Sequence, residues 1–134
     1  MGFANLAKAA SERSGQYVSN GDREGWLALF ADDAVVEDPV GESPLDPTGQ
    51  GHRGKAAIAD FWDTVIAPGS IDFQIVSSHP AGDECANVVN MVNTMPGDMR
   101  IEVHMVVVYR ANADGKLTSL RAFWDYDGVM AQLG

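Results

Sequence analysis

The sequence predicts an α+β domain in which three N-terminal helices pack into a strongly curved, mostly antiparallel β-sheet, leaving an apolar hollow inside a cone. Apolar residues recur at helical spacing up to about residue 65. From Ile71 onward the period changes to two, the mark of strands with one buried face. The Gly- and Pro-rich stretches VGESPLDPTGQGHRG, MPGD and NADG fall between these periodic segments, where turns are needed. At 134 residues the chain has room for one core, and a single domain over 1–134 is expected.

Phe3, Leu6, Ala7, Ala10, Ser14, Tyr17 and Val18 form the first helical stripe, over about residues 3–19, and Gly21 is placed to end it. Asp22 can cap a second short helix carrying Trp26, Leu27, Leu29 and Phe30, because its carboxylate accepts from free backbone amides. The β-branched segment AVVED follows, with Asp32 and Asp33 before it read as exposed turn residues. A third helix places Ile58, Phe61, Trp62 and Val65 on one stripe. Residues 84–95 read as a strand, and MPGD turns it into MRIEVHMVVVYR, where Met99, Ile101, Val103, Met105, Val107 and Tyr109 share a face. The last strand, LTSLRAFWDYD, puts Leu120, Ala122, Trp124 and Tyr126 on the interior side. Periodicity leaves open whether the hollow is a ligand pocket or a filled core.

A net charge of -10 argues against nucleic acid and other phosphate-rich partners. No segment reaches membrane-spanning length, and the N-terminus lacks the basic-then-apolar pattern of a secretory signal, so a cytoplasmic location is expected. Cys85 has no disulfide partner and falls in a strand, where a buried inert thiol is expected. His52, His79 and His104 have no metal-site spacing, and His52 is read as a solvated loop residue. The glycines of GQGHRG do not form a dinucleotide fingerprint. Neither a metal nor a cofactor is expected.

The segment GDREGWLALFADDAVVEDPVG, residues 21–41, resembles the same region of bacterial Δ5-3-ketosteroid isomerases, in the nuclear-transport-factor-2-like, or SnoaL-like, superfamily. Within it, Asp38 followed by Pro39 and Gly41 is the isomerase-like feature. ADGKLTSLRAFW, residues 113–124, is similar to the family's last hairpin. DREGWLAL and the extended loop between Gly41 and Gly54 bring the chain nearer to mycobacterial-type members.

This resemblance implies a steroid isomerase in which Asp38 is the general base, carrying a proton from C4 to C6 of a 3-oxo-Δ5 steroid. A carboxylate beside an apolar ligand is poorly solvated and becomes a stronger base than in water. The family also uses two donors on the developing dienolate oxygen, a Tyr on helix one and a protonated Asp on the penultimate strand. Ungapped alignment from Asp38 places Ser14 at the Tyr position, and counting back from Trp124 places Val107 at the Asp position. Val107 cannot donate. Ser14, Tyr17 one turn along, and the Trp124 indole N–H are the candidate donors. Phe30, Trp62 and Trp124 match positions lining the family's pocket, and Val107, Leu120 and Ala122 complete the expected apolar wall. The implied partner is an apolar, steroid-like small molecule. An alternative is a steroid- or lipid-binding protein of the same fold with little or no turnover. Polyketide cyclases and epoxide hydrolases share the superfamily, but the Asp-Arg-Asp set of the latter finds no place here. A homodimer is the superfamily's usual assembly, and the outward face carrying Val106, Val108 and His104 would suit it.

Overall fold

The computed structural model describes residues 4–134, so Phe3 lies outside the described residues. Helix α1 (Ala4–Asn20) turns a stripe of small residues inward, with Ala7, Ala10, Ser11 and Ser14 all buried. Small side chains let its axis lie close to the sheet. Gly15 continues this: a Cβ there would come within 2.8 Å of the Phe73 ring. Helix α2 (Arg23–Ala28) starts where expected, with the Asp22 carboxylate accepting from the Gly25 amide at 2.9 Å. Helix α3 (Lys55–Phe61) runs into a wider π turn at Trp62–Ile66, closed by the Ala67 amide on the Trp62 carbonyl at 2.8 Å. The extra residue in that turn rotates the buried stripe, so that Ile66 is buried with Ile58, Phe61 and Trp62 while Val65 is half-buried.

Six strands form one sheet: β1 (Phe30–Glu37), β2 (His52–Arg53), β3 (Ser70–Ala81), β4 (Glu84–Met95), β5 (Met99–Ala111) and β6 (Leu117–Phe123), in the order β2-β1-β6-β5-β4-β3. Only the β1–β6 pair is parallel. Register shifts between Ile75 and Ser77 and between Arg110 and Ala111 interrupt the long hairpins, and such bulges add twist and bend. Along β5 burial alternates without a break, from Ile101 to Ala111 inward and from Glu102 to Arg110 outward. Each fully buried apolar side chain in this row stabilises by roughly 1.5–3 kcal/mol. A buried hydrogen-bonded chain ties α1 to β4. Cys85 Sγ donates to Asn87 Oδ1 at 3.2 Å, Asn87 Nδ2 to Ser11 Oγ at 2.9 Å, and Ser11 Oγ to the Lys8 carbonyl at 2.7 Å.

Several expectations need correction. Phe30 opens β1 instead of ending α2, and Asp32 and Asp33 lie within that strand. They are exposed, where pairing with β6 slips between Phe30 and Val35. The last strand stops at Phe123, and Tyr126 begins a short helix α4 (Tyr126–Met130) absent from the sequence reading. The aromatic pair Trp124 and Tyr126 imitated strand alternation at a point where the chain turns to close the cone. Met99 sits at the turn end of the β4–β5 hairpin, paired with Met95 and 49% exposed, beyond the reach of the core. His52 is not a solvated loop residue: it is half-buried in β2, its ring 4.8 Å from that of Phe61, with Nε2 buried and unpartnered. Among the described residues no helix is long and apolar enough to cross a membrane.

Candidate active site

The sheet and helices enclose a mainly apolar cavity of about 280 Å³, at the small end of ligand pockets. The segment following β1 brings Asp38 to it. Glu37 on the outer side is held by Arg121 at 2.6 Å, and the Val40 amide donates to the Ala122 carbonyl at 2.9 Å, so the chain on both sides of Asp38 is fixed to β6. The Asp38 carboxylate lines the cavity and accepts one hydrogen bond, from Trp124 Nε1 at 2.6 Å. Burial raises its pKa from 3.8 to about 6, and the Trp124 bond pulls against that rise. Desolvation therefore wins, leaving a base stronger than an ordinary aspartate yet still largely ionised at neutral pH.

Three aligned polar side chains meet at the same end. Trp26 Nε1 donates to Ser14 Oγ at 3.0 Å in the buried interior. Tyr109 faces the same end, and its phenol titrates well above its usual range because of burial first and the nearby Asp38 charge second, with the neighbouring Ser14 hydroxyl opposing the rise. An indole N–H can only donate, so Ser14 receives from Trp26 and its own proton is free for another acceptor. Tyr109 is 1% exposed and, like Ser14 and Asp38, lines the cavity.

Ser14, Asp38, Val107, Leu120, Ala122 and Trp124 are brought together around the cavity as the sequence placed them. Tyr17, Phe30 and Trp62 are not among its lining residues. Tyr17 lies half-buried on the side of α1 facing α2, close enough to Gly25 that a Cβ there would meet its ring at 2.7 Å. Phe30 and Trp62 pack behind Trp26, with ring centroids 4.7 and 5.2 Å from it. Trp26 is the wall, and these two support it. Of the proposed donors, Trp124 already gives its N–H to Asp38, which leaves Ser14 and Tyr109 for a ligand oxygen. Sequence reasoning missed Trp26 and Tyr109 as site residues. The available signal was Tyr109 on the same strand face as Val107, two residues further on.

Comparison with known proteins places this geometry in context. The model of the SnoaL-like domain matches residues 12–120. A steroid Δ-isomerase of Nocardioides simplex is 33% identical over 117 residues, covering 87% of this chain and 88% of that protein. The structure of Δ5-3-ketosteroid isomerase from Mycobacterium sp. is 43% identical with a TM-score of 0.86, covering 91% of this chain and 95% of the other. A Mycobacterium tuberculosis protein solved in complex with estradiol-17beta-hemisuccinate is 40% identical with a TM-score of 0.86, at the same coverages of 91% and 95%. The chain therefore belongs to the SnoaL-like, nuclear-transport-factor-2-like family, among its ketosteroid-isomerase members.

Proposed function

We propose that the protein is a steroid Δ5–Δ4 isomerase in which Asp38 moves one proton within a 3-oxo-Δ5 steroid. The observation that carries this reading is the Asp38 carboxylate lining an apolar cavity with its pKa raised by burial to about 6. The carboxylate takes the C4 proton, and the electrons of that C–H bond form a dienolate with its charge on the C3 oxygen. The Asp38 acid returns the same proton to C6, and the double bond moves from C5–C6 to C4–C5. No atom enters or leaves. A base matched to the working pH favours both halves of the transfer. Tyr109 serves as the donor to the C3 oxygen, in place of the family's helix-one Tyr and strand Asp, with Ser14 and Trp26 orienting its hydroxyl. The apolar wall formed by Val107, Leu120 and Ala122 excludes water and strengthens both interactions.

The test is conversion of 5-androstene-3,17-dione, followed by ultraviolet absorbance of the conjugated product. Asp38→Asn should lower turnover at least ~100-fold while leaving equilenin fluorescence titration nearly unchanged. Equal rates for the two proteins would end the proposal. A second reading, a steroid-binding protein with weak turnover, draws on Val107, which is 2% exposed in the wall and supplies no donor. Tight equilenin binding without conversion by the wild type would favour it. We also propose that two copies associate through the outer face of the sheet, as in the superfamily the chain resembles.

A further inference from the structure

The end of the cavity remote from Asp38 contains one polar side chain that the chemistry above leaves unused. Asn93 lies on β4, 8% exposed, and lines the cavity among Ile71, Met91, Met95 and Ile101. Its Oδ1 is sealed from the cavity and accepts no hydrogen bond, whereas its Nδ2 is not among the sealed atoms and, among the described residues, makes no side-chain hydrogen bond. An amide N–H in an apolar wall without an acceptor is costly, and a ligand oxygen would relieve that cost. Gly69 closes over that oxygen, since a Cβ there would collide with Oδ1, and this leaves Nδ2 as the amide atom available to a ligand. Thr64, the other polar lining residue near this end, already donates to the Asp60 carbonyl at 2.8 Å.

Register sets which side chains lie between this amide and the base. Asn93 pairs with Ile101, and the inward row of β5 then runs through Val103, Met105 and Val107 to Tyr109 beside Asp38. Everything between the two ends is apolar along this row. A ligand that meets both ends is apolar along its length and oxygenated at each extremity.

We propose that Asn93 is a specificity residue, hydrogen-bonding a hydroxyl or carbonyl oxygen on the end of the ligand farthest from the atoms that react at Asp38. The amide nitrogen donates, so it takes the oxygen of either group. The inference rests on the proposed steroid reading and deepens it, since it selects polycycles oxygenated at the distal ring over those that are bare there.

The experiment measures binding with two phenolic probes, estrone and 17-deoxyestrone, which differ only in the distal carbonyl. Their phenol stands in for the dienolate oxygen at the Asp38 end. The wild type should bind estrone roughly three- to tenfold more tightly, the value of one neutral hydrogen bond. Asn93→Leu, close in shape but apolar, should reduce that preference to near unity by weakening estrone binding alone. Circular dichroism and thermal midpoint check that it folds, and the wild-type comparison needs no variant. Equal binding of both probes to the wild type, or an equal effect of Asn93→Leu on each, would overturn the role of Asn93 while leaving the isomerase reading intact. Failure of the wild type to bind either probe would overturn both.

Discussion

At the residue scale the decisive balance is between what the cavity takes from Asp38 and what Trp124 gives back. Burial raises the carboxyl to about 6, and the indole N–H at 2.6 Å restrains that rise by stabilising the ionised form. Because the base must be ionised to act, kcat/KM should climb with pH through about 6 and level off above it. Trp124→Phe removes the restraint, so the climb should move to higher pH, as a pH–rate series on the two proteins would show; an unchanged inflection would mean that the indole does not set the acidity. Tyr109→Phe tests the other partner. Losing a well-aimed donor from a developing oxyanion should lower kcat ~10²- to 10³-fold with KM little changed, measured by steady-state absorbance kinetics. Asp38 was legible in the sequence because a short motif carries it together with its neighbours. Tyr109 was legible only as a strand residue facing inward, since a phenol in a core position reads as packing until Asp38 and the Ser14–Trp26 pair, contributed by other elements, are seen to line the same cavity.

Elements were readable wherever one period ran unbroken. The period-two rows of β4 and β5 and the Asp22-capped start of α2 follow directly from residue types at fixed spacing. Boundaries failed where two patterns overlapped. Phe30 satisfies both the helical stripe before it and the strand alternation after it, and the pairing of its backbone with Leu117 settles it in β1. Helix α4 was hidden because only five residues form it and Trp124 and Tyr126 obey a period of two by coincidence. The docking of α1 on the sheet could not be read at all, since Ser11, Asn87 and Cys85 are far apart in sequence and individually unremarkable. Their chain of hydrogen bonds holds the helix that carries Ser14. Asn87→Leu keeps the volume but leaves the Cys85 thiol without its acceptor and Ser11 without its donor. A loss of about 1–3 kcal/mol in unfolding free energy is expected by urea titration, and a loss near zero would show that packing alone seats the helix.

The whole molecule is a cone whose inner face is spent on the cavity and whose outer sheet face is left without a helix. Cross-strand register lines up Val88 on β4, Val106 on β5 and Phe123 on β6 directly opposite one another. All three are exposed, at 38%, 41% and 42%, which is unusual for a continuous row of large apolar side chains. The Arg121 guanidinium stacks over the Phe123 ring at 5.2 Å, and His104 with Asn90, hydrogen-bonded at 2.6 Å, border the row with polar groups. An apolar strip rimmed in this way is suited to a second copy of itself, because a twofold axis brings the same row onto both partners. The acidic surface elsewhere, contributing to a net charge of -10, disfavours close approach by other faces. Val106→Asp places a charge at the centre of the strip without touching the cavity, whose nearest β5 residues face the other way. Sedimentation velocity should find the wild type as a dimer and this variant as a monomer that still binds equilenin. A wild type that sediments as a monomer at micromolar concentration would assign the strip no role in assembly.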